Sequence, residues 1–320
     1  MKVLITGGAG FIGSHLAERL LARGDQVLVV DNFSTGRRDN LAPHDRLEVV
    51  EGTIADDALV SALFDRFAPD LTVHAAAAYK DPDAYAEDVK TNVLGTVNVV
   101  KAALAAGCKR LIYFQTSLCY GLRPQEQPIT LDHPIRPEGS SYAYSKTAGE
   151  QYIDLSGIPY VTFRLANAYG PRNVSGPLPT FYQRLSAGKG CFVADTRRDF
   201  IFIDDLVDCV MNCIERPEVR GAYHIATGSD FAIKELFEAT LKGMGLPADT
   251  QVDVRPRNED DVYTILLDPS RTERDMAWKA GTPLEVGVGR AIAWYGANEV
   301  GQTYTHLKLG AKPEAEAAKR

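Results

Sequence analysis

Eight residues, Thr6-Gly7-Gly8-Ala9-Gly10-Phe11-Ile12-Gly13, constrain this chain more than any other stretch. They follow a short apolar run, Val3-Leu4-Ile5-Thr6, and precede a segment of helical character, Ser14 to Ala22, that stops at Gly24. Glycines at 7, 10 and 13 between a strand and a helix permit a tight turn, close approach of a pyrophosphate, and close helix–strand packing. The N-terminus of the helix, around Phe11, Ile12 and Gly13, then offers unpaired N–H groups to phosphate oxygens. Gln26 to Val30 reads as a second strand ending at Asp31, followed by Asn32. An acid at that tip completes the dinucleotide fingerprint, where it accepts from ribose hydroxyls and its charge repels a 2′-phosphate. The predicted cofactor is therefore NAD rather than NADP, although Arg37 and Arg38 nearby could soften the preference.

The first half continues with predicted strands at Leu47–Val50, Leu71–Val73 and Leu111–Phe114, a helix over Asp88–Ala106, another over Ser141–Leu155, and a sixth strand at Tyr160–Leu165. Alternation of this kind predicts a Rossmann-type, doubly wound parallel α/β sheet. After Gly170-Pro171 the segments shorten and Pro and Gly crowd together. The expected division is a Rossmann domain over 1–170 that the chain rejoins around 200–215, a mainly substrate-binding lobe over 171–310, and a frayed tail over 311–320. At 320 residues the chain is long enough for both.

A net charge of −7 argues against broad nucleic-acid or anionic-membrane binding, so an anionic ligand must be held by local groups. The chain opens on Met1-Lys2-Val3 without an apolar signal core, and no apolar run approaches the roughly 18 residues of a spanning helix. Five cysteines without a C-x-x-C pair fit reduced thiols, not a zinc site. A cytoplasmic location is expected, with no metal; the acidic run Glu259-Asp260-Asp261 reads as a solvated loop.

His74-Ala75-Ala76-Ala77-Ala78 follows the fourth strand, and small side chains there, Ala75 among them, let the backbone approach a cofactor. His74 itself reads as a hydrogen-bonded structural histidine. Tyr142 and Lys146 in Tyr142-Ala143-Tyr144-Ser145-Lys146 are four apart and share a helix face. A nearby ammonium favours the phenolate, so the pair predicts a tyrosine base of lowered pKa.

With these motifs the chain resembles the extended short-chain dehydrogenase/reductase family, and within it the nucleotide-sugar epimerases and dehydratases. The resemblance also rests on Asn92-Val-Leu-Gly-Thr-Val-Asn98, Thr116 to Gly121, Arg164 to Arg172, Arg198-Asp-Phe-Ile-Phe-Ile-Asp-Asp-Leu206 and Asp268 to Trp278. It implies that Asn92 belongs with the cofactor-binding set and that Thr116, with Ser117 as the fallback, meets the sugar 4-hydroxyl. It implies that Tyr142 takes the hydroxyl proton, that Lys146 holds the nicotinamide ribose, and that Asn167 and Arg198 contact the substrate diphosphate. A homodimer built from helices near 91–106 and 142–155 is implied too.

Departures narrow the reading. The family's 4,6-dehydratases carry a carboxylate pair, and its uronate decarboxylases a glutamate, just after the Ser/Thr; here stand Ser117 and Leu118. Neither is a carboxylate acid or base. An epimerase acting at C4 of a UDP-hexose, N-acetylhexosamine or uronate is favoured, in surface-polysaccharide or glycoside synthesis. A dehydratase using Cys119 or a residue of the second lobe, and a non-catalytic NAD sensor or scaffold, are the rivals. Thr53 replaces an Asp that often meets adenine, and in Arg255-Pro-Arg257 the arginine that meets the diphosphate is left open.

Overall fold

Strand residues that alternate between two buried faces build the centre of the molecule. In a computed structural model, which describes residues 1–257, 261–301, 303 and 304, Val3 and Ile5 of the first strand join one apolar layer and Leu4 the other. Leu111 and Tyr113 are likewise divided from Ile112 and Phe114. Burial on both faces is what strands this rich in Val, Ile and Leu require.

In chain order the first half comprises β1 (Lys2–Thr6), α1 (Phe11–Arg23), β2 (Gln26–Asp31), β3 (Leu47–Glu51), α2 (Asp57–Phe67) and β4 (Leu71–His74). It continues with α3 (Tyr85–Asp88), a π-helical stretch (Val89–Gly95), α4 (Thr96–Ala105), β5 (Arg110–Thr116), α5 (Ser141–Leu155) and β6 (Tyr160–Leu165). The second half runs β7 (Asn167–Tyr169), α6 (Pro177–Ser186), β8 (Phe192–Ala194), β9 (Arg197–Arg198), β10 (Phe200–Phe202), α7 (Ile203–Ile214) and β11 (Gly221–Ile225). Then come β12 (Phe231–Ala232), α8 (Ile233–Met244), β13 (Asp253–Arg255), α9 (Ser270–Met276) and α10 (Leu284–Ala297).

Seven parallel strands form the main sheet in the order β3-β2-β1-β4-β5-β6-β11. It is a doubly wound Rossmann-type sheet, and its order reverses between β1 and β4, where such sheets bind ligands beyond their carboxyl ends. Helix α1 begins at Phe11, three residues before the predicted start, and ends on Gly24 at φ 102°. The chain re-enters the first layer through α7, which packs on α1, and supplies the seventh strand at 221–225. The smaller lobe is assembled from two- and three-residue strand pairs, β8 with β13 and β9 with β12, against α6, α8 and α10. Phe181 and Phe237 meet edge to face within it, centroids 5.3 Å apart. The tail at 311–320 lies outside the described residues.

Candidate active site

Three glycines shape the loop beyond β1, each for a different reason. Gly7 has φ 68°, and a Cβ there would lie 2.7 Å from the Ala76 backbone. A Cβ on Gly13 would lie 2.3 Å from the Gly7 carbonyl oxygen, so α1 could not pack this closely on the loop. On Gly10 it would meet only that carbonyl, at 3.2 Å, so this glycine keeps the cleft side of the loop open. The first helical bond runs from Ser14 N–H to Gly10 O, and no side chain caps the helix. The first-turn N–H groups of Phe11, Ile12 and Gly13 therefore remain for an anion.

Asp31 is buried, and each carboxylate oxygen accepts one backbone N–H: Ala9 at 2.9 Å and Phe33 at 2.8 Å. It fixes the glycine loop while keeping acceptor capacity toward the cleft; burial raises its pKa. Asn32 takes the Ser34 N–H. The two arginines that could have favoured a 2′-phosphate are engaged elsewhere, Arg37 by Asp39 and the Glu299 carbonyl, Arg38 by Glu51.

Packed beside this loop, Ala75–Ala78 also line the cleft. Asn92 holds this segment in place: its Oδ1 accepts from Ala78 N–H at 2.8 Å, and its Nδ2 donates to Ala78 O and to Ser145 Oγ, both at 3.0 Å. At 1% exposure, Asn92 braces the cofactor wall against α5 rather than lining it. It sits in the π-helical stretch, a local widening often found at functional sites. His74 is fully buried between Thr6 Oγ1 (2.7 Å) and Thr96 Oγ1 (2.9 Å), and burial takes its pKa down to about 3. It is a neutral structural histidine.

A cleft of about 420 Å³ opens over both segments. Gly7, Gly10, Phe11, Ile12, Gly13, Asp31, Asn32, Ala75, Tyr142 and Lys146 all line it. The predicted cofactor loop and reaction pair thus share one space. Lys146 is 2% exposed, with its Nζ 3.9 Å from the centre of the Tyr113 ring. Burial pulls its pKa down to about 7, against an opposing pull from Glu150. The expected lowering of Tyr142 is not found in the chain by itself, because burial, reinforced by the Asp88 charge, pushes the phenol up. A positive group in the cleft is needed to reverse that direction.

Thr116 ends β5, where its Oγ1 accepts from Leu118 N–H and caps the turn Ser117–Tyr120. Ser117 is buried beneath it. The Cys119 thiol is fully buried, and burial raises its pKa, which suits a core residue and not an acid. Thr116, Ser117, Asn167 and Arg198 all stand outside the cleft lining, the first two at the end of β5 and the turn after it, the others in β7 and β9. The Asn167 amide donates to Asp199 O. Arg198 donates to Asp261 Oδ1 at 2.6 Å and to the carbonyls of Arg197, Val262 and Tyr263. Asp261 is therefore a buried ion-pair partner, not the solvated loop residue expected from its acidic run; Glu259 and Asp260 lie outside the described residues. Arg257 donates to Asp261 O, and Arg255 pairs with Asp253.

Several cleft residues carried no signal in the sequence. Tyr79 stacks obliquely with Tyr142, centroids 6.1 Å apart. Asp88, a buried carboxylate, and Gln115 line the wall near Tyr142. Tyr304 bonds to Tyr79 Oη at 3.3 Å and sits beside Thr35, so one phenol lies between two stretches that line the cleft. Its neighbours are tied down as well, Thr303 to Gln183 and Glu299 O to Arg37.

Similarity to known proteins agrees with this geometry. Residues 3–226 match the model of the NAD dependent epimerase/dehydratase family. The chain is 30% identical to a UDP-glucose 4-epimerase of Mycolicibacterium smegmatis, across 92% of this chain and 98% of that one. Among solved structures, the Bordetella bronchiseptica enzyme WbmH in complex with NAD+ superposes with a TM-score of 0.89 at 52% identity, covering 92% of this chain and 98% of that chain. WbmG of the same organism, in complex with NAD and UDP, gives 0.87 at 46% identity, covering 95% and 97%. Taken with the glycine loop, Asp31, Tyr142 and Lys146 around one cleft, these matches establish that the chain belongs to the NAD dependent epimerase/dehydratase family.

Proposed function

We propose that this protein is an NAD-dependent epimerase that inverts C4 of a UDP-activated sugar. The carrying observation is the single cleft in which the Gly7–Gly13 loop and Asp31 face Tyr142 and Lys146. The residues fit NAD: the helix N–H groups suit its pyrophosphate, Asp31 its adenosine ribose, and Lys146 the nicotinamide ribose. Bound there, NAD supplies a place for the C4 hydride to go and to return from.

The remaining chemistry belongs to the chain. Tyr142 accepts the proton of the 4-hydroxyl as C4 is oxidised, and later returns it. The Thr116 hydroxyl, on the neighbouring strand end, holds the same oxygen. Lys146 favours the phenolate by its charge. The 4-keto sugar must present its opposite face before reduction, and no further acid or base is required for that. Ser117, Leu118 and the enclosed Cys119 supply none, which supports epimerisation over dehydration.

A UDP-hexose, its N-acetyl form or a uronate is the proposed substrate, with Asn167 and Arg198 meeting the diphosphate once Arg198 exchanges Asp261 for it. Cytoplasmic polysaccharide or glycoside synthesis is the proposed setting. Among the described residues no helix is long and apolar enough to cross a membrane, and all five cysteines are free and buried. A homodimer is proposed as well, through the outer faces of α4 and α5. Tyr144, Tyr152 and Leu155 form an exposed stripe on α5, beside exposed Val89, Leu94 and Leu104.

The test is product analysis by mass and proton NMR on a panel of UDP-sugars without added NAD. The expected product has unchanged mass and altered C4 coupling, and Tyr142→Phe should cut its formation by roughly 10²–10⁴-fold with the fold intact. Loss of one water would overturn the epimerase reading and direct attention to Asp88 as the acid.

A further inference from the structure

Beneath the cleft floor lies a buried polar network that the proposed chemistry does not use. Glu150 stands one turn beyond Lys146 on α5 and is 7% exposed. Its Oε1 accepts from Arg164 Nη2 at 2.9 Å and its Oε2 from Gln115 Nε2 at 3.0 Å. Gln115 lines the cleft, and its own Oε1 accepts the Thr116 N–H at 2.8 Å. Arg164 continues through Nη1 to the Tyr120 hydroxyl at 2.9 Å, which lies 2.6 Å from His224 Nε2. The His224 Nδ1 donates to Asp268 O.

Buried ion pairs are costly to form and are weak contributors to stability. This one is tied by two hydrogen bonds to Thr116, the residue proposed to hold the sugar 4-hydroxyl. It also lies one turn from the lysine of the reaction pair.

Resting on the proposed epimerase reading, we infer that Glu150 is a positioning residue for the reaction centre. Through Gln115 it fixes the Thr116 backbone, and it supplies the countercharge for Lys146. The titratable groups facing this part of α5 include Tyr113 from β5, His74 from β4, Tyr160 and Arg164 from β6, Cys119 and Tyr120 from the turn after β5, and Asp88 from α3. Of the two carboxylates here, Asp88 acts on Tyr142 and Glu150 on Lys146.

Two variants separate the two roles, and one readout needs no turnover. In protein carrying isotopically labelled lysine, the Lys146 side chain is titrated by NMR. Glu150→Gln should lower its midpoint by about one pH unit or more, because an anion that favours the ammonium is gone. Gln115→Leu should leave the midpoint unchanged but cut kcat about 10- to 100-fold, with KM for the sugar nucleotide within about twofold, because only orientation is lost. If Glu150→Gln does not fold, Glu150→Leu with Arg164→Met removes the anion without orphaning the guanidinium and should lower the midpoint in the same direction by a smaller amount, because the Arg164 charge goes with it. Equal midpoints would remove the countercharge role, and wild-type kcat in Gln115→Leu would remove the positioning role. Absence of epimerisation in the wild type would instead overturn the functional reading, leaving the titration as a test of Glu150.

Discussion

Lys146 carries an ionisable amine into a place water barely reaches, and that has a measurable cost. Its pKa in the fold, about 7, lies well below the 10.5 of a free lysine. Below pH 7 the amine is charged in both the folded and unfolded chain, and the folded chain bears the full penalty of enclosing it. Between about 7 and 10.5 the unfolded chain binds the extra proton, so the penalty fades as pH rises. Lys146→Met should therefore raise the melting temperature of the protein without substrate, most at pH 6 and least at pH 9, while reducing turnover at least about 10²-fold. Differential scanning calorimetry at the two pH values checks this; an equal gain at both would mean that Lys146 is not depressed. The pairing of Lys146 with Tyr142 was legible in the sequence because helical geometry alone puts residues four apart on one face. The direction of the tyrosine's pKa was not, since it depends on burial and on Asp88, which arrives from another helix. Nor was the partner of Arg198, which lies 63 residues away across the second lobe.

Between the residue and the molecule, the glycine loop shows how one motif divides its labour. Gly13→Ala places a methyl group against the loop backbone, so it should destabilise the fold by about 1–3 kcal/mol and weaken NAD binding together. Gly10→Ala meets nothing nearer than 3.2 Å. It should leave the melting temperature close to wild type and still reduce NAD affinity about tenfold or more, because its methyl group takes the space of the pyrophosphate. Calorimetric binding alongside thermal unfolding distinguishes the two, and a normal affinity in Gly10→Ala would place the pyrophosphate elsewhere. The six strands of the first half and helix Ser141–Leu155 were readable because each carries its own periodicity or apolar run. Strand β11, Gly-Ala-Tyr-His-Ile, has one β-branched residue and was missed. The π-helical stretch reads as ordinary helix from its composition, and only the bonds from Asn92 to Ala78 reveal its use. Two-residue strands such as β9 and β12 exist through their partner and leave no local trace.

At the scale of the molecule, the unpartnered apolar stripe on α5 is the feature most exposed to test. Leu155 is 80% accessible and Tyr144 57%, spacing that keeps both on one helix face. Tyr152→Lys combined with Leu155→Lys should convert a particle of twice 34.9 kDa into one of 34.9 kDa by light scattering, with secondary structure unchanged. A wild-type chain that is already monomeric would overturn the dimer proposal.

The position of Tyr304 has a consequence in time. Thr35 and Tyr79, the two cleft-lining residues it lies against, belong to the first quarter of the chain, as does the glycine loop. A ribosome therefore releases both long before it adds the phenol that lies between them. Whatever nucleotide the nascent first half takes up meets the Tyr304 phenol only after every strand of the parallel sheet has been made, the seventh ending at Ile225.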